Sequence, residues 1–139
     1  MTVKRKTKAA GYFKPPQCVE CANTASLVGG ALIYPHRDDL HDRWFWLCEC
    51  GAYCGTHRGT QKPLGTPAGR ETRQARMAAH NAFDPLWKVG KRMSRMEAYG
   101  WLATVTGIPH HKCHIGMMTK AQAMRVVQVC HERRQNEGA

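Results

Sequence analysis

No apolar run in this 139-residue chain approaches the roughly 20 residues that a membrane-spanning helix needs. The N-terminal stretch MTVKRKTKAAGYFKPP carries cations but lacks the apolar core of a secretory signal. No membrane association is expected, and the protein should be soluble and cytoplasmic. Acidic residues are also scarce: 10 Asp and Glu stand against 21 Lys and Arg, a formal charge of +11. Such a deficit bears on solubility and on polyanionic partners rather than on fold. Nucleic acid is the leading expected partner and an acidic protein the competitor. There is no internal repeat, no long low-complexity tract, no Walker-type or dinucleotide-binding glycine pattern, and no recognisable spacing of nucleophile, base and orienting acid. An enzyme is therefore less expected than a binding protein.

Cysteine, by contrast, is plentiful. Seven cysteines in a chain without an export signal read as reduced thiols and metal ligands, and the odd number argues against complete disulfide pairing. Cys18 and Cys21 form C-x-x-C; after 26 intervening residues, Cys48 and Cys50 form C-x-C followed by Gly51. Between them lie "ALIY" (31–34) and "RWFWL" (43–47), β-prone and aromatic, separated by the polar "PHRDDLHD". A β-hairpin that brings two thiolate knuckles together is a zinc ribbon, and four thiolates closing the shell make a structural Zn2+ site rather than a catalytic one. The expected ligands are Cys18, Cys21, Cys48 and Cys50. Because C-x-C is tighter than C-x-x-C, Cys54 or His57 stands close enough to replace Cys48 or Cys50. A thioredoxin-like redox role for Cys18 and Cys21 lacks the βαβ surroundings it needs.

The fold class expected is α+β: the ribbon packed on a C-terminal part of about three helices. Residues 1–17, with Lys4, Arg5, Lys6, Lys8 and Lys14 before Pro15 and Pro16, read as a flexible basic arm. Residues 18–139 read as a single domain, with the ribbon over 18–57 and the helical part over 66–135. Thr66 before Pro67 reads as an N-cap, and Pro85 should end the first helix near Phe83. Ala75, Ala78, Ala79 and Ala82 should face inward there, with Arg73, Arg76 and His80 outward. Ser94 with Glu97 and Thr119 with Gln122 are capping-box patterns. The first predicts a helix over Arg95–Thr106, stopped by Gly107 and Pro109, with Met96, Tyr99, Leu102 and Ala103 toward the core. The second predicts a helix with Ala123, Val126, Val127 and Cys130 on one face.

The run "FWLCECGAYCGTHRGTQKPLGTPAGRETRQARMAAHNAFDPLW", then "SRMEAYGWLATVTGI" and "CHIGMM", resembles the zinc-finger-containing domain family found mainly in bacteriophages and prophages. The similarity spans about Cys18 to Cys130 and rests on the ordered set C-G-A-Y-x-G-x-H, P-L-G, A-H-x-x-F-D, S-R-x-x-A-Y and C-H-I-G. It implies a metal-binding phage protein acting in the host cytoplasm, without an established activity, so that an acidic partner would be a host protein. Two departures stand out. The second knuckle is one residue shorter than the commoner C-x-x-C, and Cys54 occupies a position where valine is usual, which makes it an extra packed thiol.

His57, His80, Asp84 and His114 lie on these motifs and suggest a second, catalytic metal site, as in a metal-dependent nuclease. His80 and Asp84 have ligand spacing on a helix, but Pro85 should bias Asp84 out of helical geometry; a cap before Trp87 is the simpler role. A second zinc through Cys113, His114 and Cys130 competes with the place of Cys130 on an apolar stripe. From Arg58 to Arg95 nine Lys or Arg, including Lys88, Lys91 and Arg92, face Glu71 and Asp84, a net of +7. Arg58, Lys62, Arg70, Arg73, Arg76 and His80 are the residues expected to meet nucleic-acid phosphates, without sequence readout. Tyr34, Trp44, Trp46 and Tyr53 would add base stacking if exposed, and are otherwise core.

Overall fold

A computed structural model describes residues 13–89 and 93–138. Its backbone divides into two compact units, Met1–Gly69 and Arg70–Ala139. The first carries an antiparallel sheet of β1 (Ser26–Gly29), β2 (Trp44–Leu47) and β3 (Tyr53–Gly55), in that order. The second is helical: α2 (Arg70–Phe83), α3 (Pro85–Lys88), α4 (Arg95–Thr106) and α5 (Lys120–Gly138), with a short α1 (Gly30–Ile33) belonging to the first. The class is α+β, as the sequence predicts.

Within the sheet, alternation of side chains along β2 sends its residues to opposite faces. Phe45 lies opposite Val28 and Gly55, while Trp46 lies opposite Leu27 and Cys54. On the first face Phe45 meets Tyr34 and Tyr53 edge-on, at centroid separations of 5.7 and 6.0 Å. On the second, Trp46 packs with Ala25, Cys54 and Leu27, and its indole N–H donates to the Gln61 carbonyl at 2.9 Å. Of the four aromatics considered for base stacking, Trp46 is thus core, and Tyr34, Trp44 and Tyr53 are half-buried.

Two local expectations are corrected here. The first strand is Ser26–Gly29, and the "ALI" of "ALIY" forms a helical turn instead. The chain leaves the sheet at Gly30, whose amide donates to the Arg43 carbonyl at 2.8 Å. Any Cβ there would lie 1.8 Å from the Leu40 carbonyl oxygen, so only glycine fits this approach. Thr66 and Pro67 do not open a helix. Tyr53 lies on an edge strand, whose groups need partners, and Ala68 supplies both: its amide donates to Tyr53 O at 3.0 Å and its carbonyl accepts from Tyr53 N at 3.1 Å. Helix α2 begins only after that pairing.

In the helical unit Ala75, Ala79, Ala82 and Phe83 of α2 join Ala98, Tyr99 and Leu102 of α4 and Ala123, Val126, Val129 and Cys130 of α5 in one buried cluster. Both capping boxes form: Ser94 Oγ accepts from Glu97 N while Glu97 Oε1 accepts from Ser94 N, and Thr119 and Gln122 repeat the exchange. Gly107, at φ 76°, ends α4 in the left-handed region. Met96 is 79% exposed, contrary to the core position expected of it, and Ala98 takes that place. Ala78 likewise faces out. Asp84 keeps helical geometry, φ −57° and ψ −33°, despite the following proline. Its amide donates to His80 O at 2.8 Å, so the helical path continues into α3. Of the expected basic arm, residues 1–12 lie outside the described residues. Residues 16 and 17 are tied in: Ala25 N donates to Pro16 O at 3.0 Å, and Gln17 bridges Thr24.

Candidate metal centre and basic surface

Each knuckle is a tight turn closed by its own backbone. In the first, Cys18 N donates to Asn23 O at 2.8 Å and Ala22 N to Cys18 O at 2.9 Å. In the second, Cys48 N donates to Ala52 O at 2.8 Å and Gly51 N to Cys48 O at 2.9 Å. The residue after the second cysteine of each is left-handed: Ala22 at φ 67° and Gly51 at φ 98°. The turns are also tied to each other, since Asn23 Nδ2 donates to Glu49 Oε1 at 3.0 Å. Nothing in the sequence singles out that bond, and sequence reasoning missed it.

This scaffold gathers four sulfurs, Cys18, Cys21, Cys48 and Cys50, all within 4.8 Å of one another. Cys18 lies 3.7 Å from Cys50 and Cys21 lies 3.3 Å from Cys48. Zinc–sulfur bonds of about 2.3 Å in a tetrahedron imply sulfur separations of about 3.8 Å; both of these pairs lie within about half an ångström of that value, and the set of four, all within 4.8 Å, fits Zn2+. Cys18 and Cys48 are buried; Cys21 and Cys50 are exposed. Burial raises the Cys18 thiol above its usual range, offsetting amide hydrogen bonds from Cys21 and Glu20. The Asn23 amide, followed by the Cys48 thiol, lowers Cys21. At Cys48 the Cys50 amide pulls downward, but burial and the neighbouring thiols outweigh it and push the group up to about 12. A divalent cation supplies the charge that such a cluster needs to ionise.

Neither alternative fourth ligand belongs to this group of sulfurs. Cys54 is buried beside Trp46 on β3, its thiol 3.9 Å from Gly65 O, and His57 is exposed at the start of a turn. Among the described residues, no other three His, Cys, Asp or Glu side chains bring ligand atoms as close together. His80 Nδ1 does lie 3.2 Å from both carboxylate oxygens of Asp84, with Lys88 Nζ 3.7 Å from Oδ2. His114 sits instead with its ring 6.2 Å from that of Tyr99. Cys113 and Cys130 are core residues: burial raises both, Cys130 to about 11.

The six residues expected to meet phosphate differ in placement. Arg58, Lys62 and Arg70 are exposed, while Arg73 and His80 are half-buried. Arg58 and Lys62 project from a rigid turn in which His57 N donates to Lys62 O and Thr60 N to His57 O, both at 2.9 Å. Arg76 faces inward, correcting the outward position expected of it: it is 8% exposed and its Nε donates to Met118 O at 2.8 Å. The buried carbonyl before α5 needs a donor, and the long arginine stem reaches it past the alanines of α2. Lys91 and Arg92 lie outside the described residues.

No described helix is long and apolar enough to cross a membrane. No curated protein and no solved structure shows significant similarity to the chain. The model of the zinc-finger-containing domain family matches residues 14–133, and the chain belongs to that family.

Proposed function

We propose that this protein is a bacteriophage or prophage accessory protein that holds one structural Zn2+ through Cys18, Cys21, Cys48 and Cys50 and binds nucleic acid mainly through backbone phosphates in the host cytoplasm. The phage assignment rests on the sequence resemblance. The zinc assignment rests on the four-sulfur geometry and on the family. Four thiolates would fill the shell, leaving no position for a water, which suits a structural ion.

The observation that carries the nucleic-acid reading is how the acidic residues of the helical unit are used. Residues 70–139 hold twelve Lys or Arg and five Asp or Glu. Glu71 pairs with Lys120, Asp84 with His80 and Lys88, and Glu137 with Arg133. Glu97 closes the α4 capping box and Glu132 accepts from Gln128. With all five carboxylates engaged locally, exposed Arg70 and Lys112 dominate the surrounding field. Such a surface attracts polyphosphate without selecting a sequence.

The test is fluorescence anisotropy with labelled DNA and RNA oligonucleotides over a salt series. Affinity should fall steeply with salt, by a log–log slope of about 0.9 per phosphate contact on duplex DNA and about 0.7 on single strands. Replacing Arg58, Lys62, Arg70 and Arg73 together by glutamine should weaken all sequences alike and flatten the slope by up to about four contacts, with zinc content unchanged. No binding at low salt would reject this reading and leave capture of an acidic host protein in its place. Divalent-dependent cleavage lost in His80→Ala would instead make the protein a nuclease.

A further inference from the structure

We propose that the groove between α4 and α5 is a self-association surface, filled by α5 of a second copy of this chain running antiparallel about a two-fold axis. The groove measures about 390 Å³ and has an apolar floor of Trp101, Val105 and Val129. Four charges line it: Arg125, Glu132, Arg133 and Glu137. The Arg133 guanidinium lies 4.9 Å from the Trp101 ring centre, and its Nε lies 3.1 Å from Glu137 Oε2. Positions 125, 129, 132, 133 and 136 follow the i, i+4, i+7, i+8, i+11 rhythm of a single helical face. That face lies on a 19-residue helix, about 28 Å long.

The charges choose the occupant. The chain is strongly basic overall, yet this groove concentrates Glu132 and Glu137, two of the five carboxylates in residues 70–139. These two carboxylates offset Arg125 and Arg133, so the groove offers nucleic acid or an acidic protein no net attraction. A second copy is matched instead, because the signs of the lining residues of α5 run positive at 125, negative at 132, positive at 133 and negative at 137, while Lys120 and Arg134 are engaged elsewhere, with Glu71 and the Ala82 carbonyl. Reversed by a two-fold axis, the order is complementary to itself. Arg125 then faces Glu137 of the partner subunit, and the same pair recurs at the other end, as an isologous contact requires. The half-buried Trp101 and Val105 gain cover at the centre, where apolar and aromatic burial contributes most.

The measurement is sedimentation equilibrium of the full chain, treated with nuclease beforehand. Wild type should show a concentration-dependent monomer–dimer equilibrium. Arg125→Glu and Glu137→Arg each place like charges across the axis and should weaken association about tenfold or more. The double variant R125E/E137R restores opposite charges and should return the dissociation constant to within about threefold of wild type. Both residues are exposed, so circular dichroism should match wild type in all three variants. Monomer at every concentration up to about 1 mM, or a double variant no tighter than the singles, would overturn the proposal. So would hydrogen-exchange protection of the groove by an oligonucleotide bound to monomeric protein, which would assign the surface to nucleic acid.

Discussion

In the helical unit, Phe83, Leu102, Ile115 and Met118 are each at most 1% exposed and belong to one continuous cluster. The ribbon has instead two small buried clusters, Cys18 with Cys48 and Ala52, and Ala25 with Trp46 and Cys54, with Phe45 buried apart from both against Tyr34 and Tyr53. The two units have almost the same length but different means of stability. The first has short strands of four, four and three residues, and small β-structures of this kind are marginal without further support. Its cysteines are two of three residues in one group, so that part of its core is also its ligand set. The helical unit buries leucine, isoleucine, phenylalanine and methionine, which contribute about 1.5–3 kcal/mol each.

The largest effect expected from this contrast is that of removing the metal. Structural zinc sites contribute about 10–16 kcal/mol of apparent binding energy, as much as a small domain's whole stability of about 5–15 kcal/mol. Chelation, or Cys18→Ser, should therefore collapse amide protection throughout residues 13–69 while residues 70–89 and 93–138 keep theirs. Hydrogen exchange resolved by residue checks this. Loss of protection in both units together, or in neither, would erase the distinction drawn between them.

The converse experiment is smaller in scale. Leu102 is fully buried among Phe83, Tyr99 and Val126 in the same cluster, and Leu102→Ala leaves a cavity that costs about 2–5 kcal/mol. The helical unit should lose that stability in urea unfolding, followed by far-ultraviolet circular dichroism, and zinc content should stay at one ion per chain. A variant that also releases zinc would mean that the ribbon depends on the helices.

These differences explain what could be read in the sequence. Capping boxes at Ser94 and Thr119 are local, each made within four residues, and they mark both helix starts correctly. The four cysteines stand out because sulfur spacing is a local property of each turn. Pairings between distant segments leave no comparable signature. Ala68 completing the edge of Tyr53 depends on chain geometry across fifteen residues, and so local capping signals alone put the helix start too early, at Thr66. Strand β3 was hidden because "AYCG" resembles a turn in composition, while its hydrogen bonds come from β2. Arg76 was misplaced for a related reason: helical periodicity gives its direction, but the Met118 carbonyl that draws it inward is 42 residues away. Asp84 stayed helical because the bias before proline is weaker than the continuation of the His80–Asp84 turn.

The smallest effect expected tests how finely the two knuckles of the ribbon are matched. Both need a left-handed residue after the second cysteine, but only one has glycine there: Gly51 at φ 98° against Ala22 at φ 67°. For a residue with a Cβ the left-handed region costs about 1–2 kcal/mol; glycine avoids this but loses more chain entropy on folding, by about 0.5–1 kcal/mol. Ala22 is exposed, so its methyl group contributes little packing, and its amide bond to Cys18 O survives the change. Ala22→Gly should thus stabilise the ribbon by up to about 1 kcal/mol. The reverse change, Gly51→Ala, should destabilise it by a similar amount through backbone strain alone, since a Cβ at that position would meet no atom within 4 Å. Urea unfolding of the zinc-loaded protein, read by hydrogen exchange in residues 13–69, measures both. Opposite signs for the two variants are the expected result. A destabilising Ala22→Gly would mean that the alanine restrains the knuckle more than its φ strains it, and that the two turns are not equivalent supports of the metal site.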